Sequence, residues 1–335
     1  MDLDTFITLL YVWIDDWYKS EMAEQIQRKR GPKPSMSDSE VLTVAIVGQW
    51  RYGVPWQSER GVVRYMLTHG HVWFPNMLER SRFNERVRFL WAVIIKLQQA
   101  LATVLTPVEP IYEVVDCMPL PSCSNSQSLK SGHCLWWGTR GYGGTQGGWY
   151  WGDQVIMSVT PQHVITSWLI GPAHADDRAM FQAMLSQKYG GYHFITPKPW
   201  RPWRKLSEPS HIRPLLAAGQ GKQGAYYLCD KGFNGFRWQN HWFQHYGVNV
   251  ITEPSHREGV EPLPDSWVKW CHGMRQSVET VFSILSDVFH IKRLRARSEL
   301  GQRTRVALAT TAYNWGIWVN RYLHRPDLAH ATLLC

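Results

Sequence analysis

The chain has 335 residues, 36 Lys plus Arg against 27 Asp plus Glu, and a formal charge of +9. That length and its apolar content are enough for a substantial core in one or two domains. No apolar run approaches the ~18 residues of a membrane span, and the acidic start Met1-Asp2-Leu3-Asp4 does not read as a signal peptide, so a cytoplasmic protein is expected. The positive excess suits a partner rich in phosphate, with counterion release on binding. Most of the 19 tryptophans are expected in the core, with a few exposed to stack on bases.

Residues 1–106 read as a helical domain. Arg28, Lys29, Arg30 and Lys33 form a basic arm broken by Gly31, Pro32 and Pro34, fit to track a phosphate backbone or enter a minor groove, or to be a solvated linker. Ser37 with Glu40 three residues on is a capping box, opening a helix through Val41, Leu42, Val44, Ala45 and Val47 toward Trp50. Two more helices are expected over 71–78 and 83–97, joined at 79–82. Read as a helix-turn-helix, the second would place Arg82, Arg86 and Arg88 in a major groove. The Pro-containing stretch 106–110 ends this part.

Residues 107–335 read as an α/β domain. Tyr112, Val114 and Val115 form a buried strand expected to end at Asp116, with Pro119 and Pro121 beyond it. The segment 138–152 is rich in Gly and Trp and reads as a loop. Strands follow over 154–160 and 163–170, then a helix over 175–187. Near its start His174, Asp176 and Asp177 either approach a metal or cap the helix, and capping is the commoner use of such acids. An irregular insertion spans 189–224, where Trp200, Arg201, Trp203, Arg204 and Lys205 interleave base-stacking and phosphate-binding side chains on a Pro-stiffened stretch. Residues 225–229 make a strand ending at Asp230, with Gly232 permitting a sharp turn, and 248–252 make another. Val278, Val281, Phe282 and Leu285 then fall on one face of a helix, leaving Arg275, Glu279, Ser283 and Ser286 on a polar one. Lys292, Arg293, Arg295 and Arg297 close the series as a basic cluster fit to hold donor or target phosphates. This order of elements suits a mixed sheet flanked by helices.

Three acids carry the chemistry: Asp116, Asp230 and Glu279, separated by 114 and 49 residues, so only the fold can unite them. Hard divalent cations take oxygen ligands and keep several waters, and a few carboxylates leave coordination positions open to phosphate oxygens. That is the ligand set of two-metal phosphoryl transfer. The six cysteines lack paired Cys-x2-Cys spacing and are expected reduced. Cys117, Cys123, His133 and Cys134 are a conceivable zinc set of irregular spacing.

Residues 115–123, 229–233 and 275–283 resemble the three acid blocks of bacterial insertion-sequence DDE transposases, most closely the insertion-sequence family numbered 982, and residues 30–42 have that family's look. The resemblance implies an RNase H-like catalytic core behind an all-helical DNA-binding domain, with Asp116, Asp230 and Glu279 as metal ligands. It also implies two Mg²⁺ ions per active site, replaceable by Mn²⁺, and double-stranded DNA partners in the form of terminal inverted repeats and target DNA. A homodimer or higher oligomer, associated with the bacterial nucleoid, is expected. Relatives that form hairpin ends carry a Tyr, Arg, Glu and Lys around the last acid. Here those positions are His272, Arg275, Glu279 and Ser286, so only the Arg and the Glu match, and Arg275 is expected to contact DNA. A nuclease without strand transfer and a domesticated, non-catalytic DNA-binding regulator are the alternatives.

Overall fold

The computed structural model describes residues 1–22, 34–108, 110–124, 138–143, 148–189, 225–252, 265–293, 296 and 298–334. The chain divides into two compact units, one of residues 1–107 with 283–335 and one of residues 108–282.

In the first unit, α1 (Leu3–Trp17) starts at Asp2, whose carboxylate accepts the Thr5 N–H, and buries Phe6, Ile7, Leu10 and Ile14. α2 (Asp38–Val47) begins with the expected capping box: the Ser37 N–H donates to Glu40 and the Glu40 N–H to the Ser37 hydroxyl. Nearly every α2 side chain is buried, the pattern of a helix surrounded by others. α3 (Glu59–His69), capped by Ser58, has no counterpart among the expected elements. The helix expected over 71–78 is instead a 3₁₀ turn at Gly70–Val72 followed by irregular chain, as Pro75 within that stretch requires. The single helix expected over 83–97 is two, α4 (Arg80–Phe89) and α5 (Trp91–Leu105), bent by 62° about the buried Leu90. The helix-turn-helix pair thus lacks its first helix.

The C-terminal helix α9 (Glu299–Tyr322) packs on α5 and α2 in this helical unit. It had been expected with the sheet, and local sequence could not reveal the difference, because the assignment rests on contacts across some 200 residues. Phe6 meets Trp50 edge-on at 4.9 Å between centroids, and Trp50 meets Phe289 at 5.1 Å. No single helix among the described residues is long and apolar enough to cross a membrane.

The second unit is built on a sheet. Its strands are β1 (Tyr112–Ser124), β2 (Thr139–Tyr142), β3 (Trp149–Val159), β4 (Ile165–Pro172), β5 (Ala225–Cys229) and β6 (Val248–Thr252). β3 pairs antiparallel with β1 on one side and with β4 and β2 on the other. β5 pairs parallel with β1, and β6 parallel with β5. The path β4-β3-β1-β5-β6 is a mixed sheet of RNase H-like form. Two strands lie where a Gly- and Trp-rich loop was expected: β2, and the start of β3, where the Arg140 guanidinium sits 4.3 Å from the exposed Trp149 ring.

α6 (Asp177–Tyr189) and α7 (Phe236–Tyr246) cover the sheet. Phe181 is the hub of their core, meeting Tyr227 of β5, Phe233 and Trp242 of α7 edge-on at 5.4, 5.8 and 4.9 Å. α8 (Asp265–Asp287) buries Val278, Val281 and Leu285, the face its spacing predicts.

Candidate active site

β1 does not end at Asp116. It continues to Ser124, so Asp116 lies inside the strand. Its parallel pairing with β5, however, stops at Val115↔Cys229, while its antiparallel pairing with β3 runs on. Beyond Asp116, β1 therefore has a described neighbour on one side only, and an open side tolerates the missing N–H groups of Pro119 and Pro121. The prolines were expected to end the strand; they mark instead where it loses one partner.

That fork positions two acids. Asp116 follows Val115 on β1, and Asp230 follows Cys229 on β5, each one residue beyond the last paired rung. Asp230 leads into a 3₁₀ turn, Lys231–Phe233. Arg275 on α8 reaches both carboxylates: Nη1 lies 3.1 Å from Oδ1 of Asp230 and Nη2 lies 3.8 Å from Oδ2 of Asp116. The fold thus unites Asp116 and Asp230 across the 114 residues that separate them.

A third aspartate lies within electrostatic reach of this pair. Asp177, at the start of α6, accepts a hydrogen bond from the Cys117 thiol and interacts electrostatically with Asp116 and Asp230. A Cβ on Gly232 would come 3.2 Å from Oδ2 of Asp177. Gly232 therefore leaves room for that carboxylate, whereas the sequence suggested a turn requirement. Its neighbour Asp176 does the capping, taking the Arg178 N–H at 2.9 Å and the Arg178 guanidinium at 2.7 Å. His174 is exposed. The sequence could not tell Asp176 from Asp177, since acids at a helix N-terminus are favoured whatever else they do.

Burial and the neighbouring negative charges push the Asp116 carboxyl up to about 6, although the Cys117 N–H, donating at 2.8 Å, and Arg275 both pull it down. Burial also raises Asp177, reinforced by Asp176 and Asp230. Asp116 and Asp230 share the Arg275 guanidinium, and Asp177, itself interacting with Arg178, adds to the negative field at Asp116 and Asp230. Oxygen donors at a sheet fork with excess negative charge fit a hard divalent cation.

Glu279 lies one turn beyond Arg275 on α8 and is exposed. The residue of α8 that touches the aspartates is Arg275. Among the described residues no three His, Cys, Asp or Glu side chains are grouped closely enough to hold an ion. The pair Asp116 and Asp230 is thus the assembled part of the expected ligand set.

The expected DNA-contacting residues fall into separate groups. Arg82 and Arg88 are exposed on α4. Arg86 is engaged: its guanidinium is ion-paired with the buried Asp38, whose other oxygen accepts the Tyr18 hydroxyl at 2.5 Å. Lys292 and Arg293 are exposed in a 3₁₀ turn, Ile291–Arg293, of the helical unit. Arg28, Lys29, Arg30, Lys33, Trp200, Arg201, Trp203, Arg204, Lys205, Arg295 and Arg297 lie outside the described residues, as do His133 and Cys134 of the zinc set.

No curated protein and no solved structure matches the sequence. Residues 205–315 match the family model described as Transposase DDE domain. The match takes in Asp230, Arg275 and Glu279 and covers about a third of the chain; Asp116 lies outside it. In that segment, and with an RNase H-like sheet around it, the chain is similar to the DDE transposases.

Proposed function

We propose that the chain is the transposase of an insertion sequence, of the kind numbered 982, which binds terminal inverted repeats and cuts and joins DNA strands. The observation that carries this reading is the sheet fork, where Asp116 and Asp230 converge on one cation, the Arg275 guanidinium. The match of residues 205–315 to a transposase DDE domain supports the same conclusion.

In this reading Asp116 and Asp230 hold divalent metal, Mg²⁺ or Mn²⁺, with Glu279 completing the set when DNA is bound. The bound ions supply a more acidic water or 3′-hydroxyl for attack and stabilise the leaving oxygen. Asp116 is oriented for this by the Cys117 N–H, and Asp230 by its place at the end of β5. The exposed Arg82, Arg88, Lys292 and Arg293 bind phosphates, as do the basic residues of segments 28–33 and 200–205. A homodimer or higher oligomer would bring two element ends together, working on the nucleoid in the cytoplasm.

The experiment is cleavage and joining of the gene's own flanking DNA with Mg²⁺, Mn²⁺ or EDTA, comparing wild type with Asp230→Asn. Metal-dependent cuts at the repeat ends with joined products are expected, reduced at least ~100-fold in the variant. Cutting in excess EDTA would overturn the reading. Cuts without joined products would make the protein a nuclease, and tight binding without cutting under any metal a regulator.

A further inference from the structure

Arginines elsewhere in the chain show what a permanent ion pair looks like. Arg321 gives Nε and Nη2 to Asp327, at 3.0 and 2.7 Å, and Nη1 to the Leu105 carbonyl at 2.8 Å, so every nitrogen of its fork is used. Arg178 gives Nε and Nη2 to Asp176 at 3.0 and 2.7 Å. Arg275 is different. Its two Nη atoms straddle two carboxylates at 3.1 and 3.8 Å, and its Nε is buried with no hydrogen-bond partner among the described residues.

An unsatisfied buried donor costs free energy, and a contact at 3.8 Å recovers little of it. What holds the guanidinium there is the field of Asp116 and Asp230. Such a field binds whichever cation fits best, and a divalent ion carries twice the charge on a smaller radius.

We propose that Arg275 is the resident counter-cation of the Asp116/Asp230 pair, seated where a divalent metal ion binds, so that metal and guanidinium compete for one position. This inference rests on the metal-binding reading of the two aspartates. It makes Arg275 a positioning residue: it keeps the carboxylates convergent without metal, and metal loading must displace it.

The test is direct Mn²⁺ binding, read as the loss of the free-ion electron paramagnetic resonance signal on titrating the full-length protein. Wild type, Arg275→Gln, Arg275→Lys and Asp230→Asn are compared at constant ionic strength. Removing a competing charge at this range should tighten Mn²⁺ binding in Arg275→Gln by about 5- to 10-fold. Arg275→Lys should fall between that variant and wild type, because one ammonium cannot bridge both acids. If Arg275→Gln fails to fold, Arg275→Lys decides, with tighter binding than wild type expected. Binding that is lost in Asp230→Asn but equal or weaker in the Arg275 variants overturns the role of Arg275 alone. Binding that ignores all three substitutions, or no binding by any form, overturns the metal reading and this inference with it.

Discussion

Two carboxylates three residues apart on β1 have opposite fates. Glu113 is buried and would resist ionisation, yet its pKa is held below the usual carboxylate range: the Lys188 ammonium lies 2.5 Å away, and the hydroxyls of Ser158 and Thr166 donate to it. Asp116 is half-buried, partial burial and neighbouring acids disfavour its charge, and a distant guanidinium only partly compensates them, so its pKa is pushed up to about 6. The first is a closed network in which each charge has a partner. The second has charge left over. Where a fold closes a network the group is structural; where it leaves one open on a partly exposed strand, the group is available to a ligand.

Lys188 is where a single substitution should do the most damage. Lys188→Met leaves Glu113 buried without its cation and should cost about 3–5 kcal/mol, measured as a lowered urea midpoint. Because the Glu113 pKa is depressed, its contribution is present above the ordinary carboxylate pKa and lost as pH falls through the folded value. The variant's loss should therefore shrink in acid.

Asp116 has the reverse sign. Its folded pKa lies above its unfolded one, so the folded state holds the proton longer, and metal-free stability should fall as pH rises from about 4 to about 6. A shift of that size corresponds to roughly 2–3 kcal/mol. Asp116→Asn should flatten that part of the curve in thermal melts taken in EDTA, and an unchanged slope would place the titration elsewhere.

The smallest effects are expected at α4. Arg82→Ala or Arg88→Ala should leave stability within about 0.5 kcal/mol while lowering the slope of log affinity for DNA against log salt by about 1 each. Arg86→Ala should instead destabilise the helical unit by stranding Asp38, whatever it does to DNA binding.

The elements read most accurately from sequence were those whose signals are local. β5 and β6 have the bounds their apolar runs suggested, and the capping box at Ser37 and the buried face of α8 are in place. Errors arose where distant residues decide the outcome. Pro119 and Pro121 looked like strand terminators because a sequence does not show that β1 has one open side there. Arg86 looked like a groove-reading arginine because its partner, Asp38, is 48 residues away. Asp177 could not be separated from Asp176, and Arg275, matched by motif to a DNA-contacting role, gave no sign that it would touch two aspartates. The pairing of Asp116 with Asp230 was legible only through the resemblance, since nothing within either segment encodes their parallel alignment.

The parting of β1 from β5 after Val115↔Cys229 has an evolutionary consequence. Adjacent strands keep a spacing of about 4.8 Å whatever side chains they carry. The two positions just beyond the last shared rung start from that spacing, which main chain sets. Substitutions across the hydrophobic face of the sheet can accumulate without moving them, and the acids themselves can be exchanged without losing the notch. A change at Asp116 or Asp230 alters a side chain beyond the last shared rung and leaves the β1–β5 pairing itself in place.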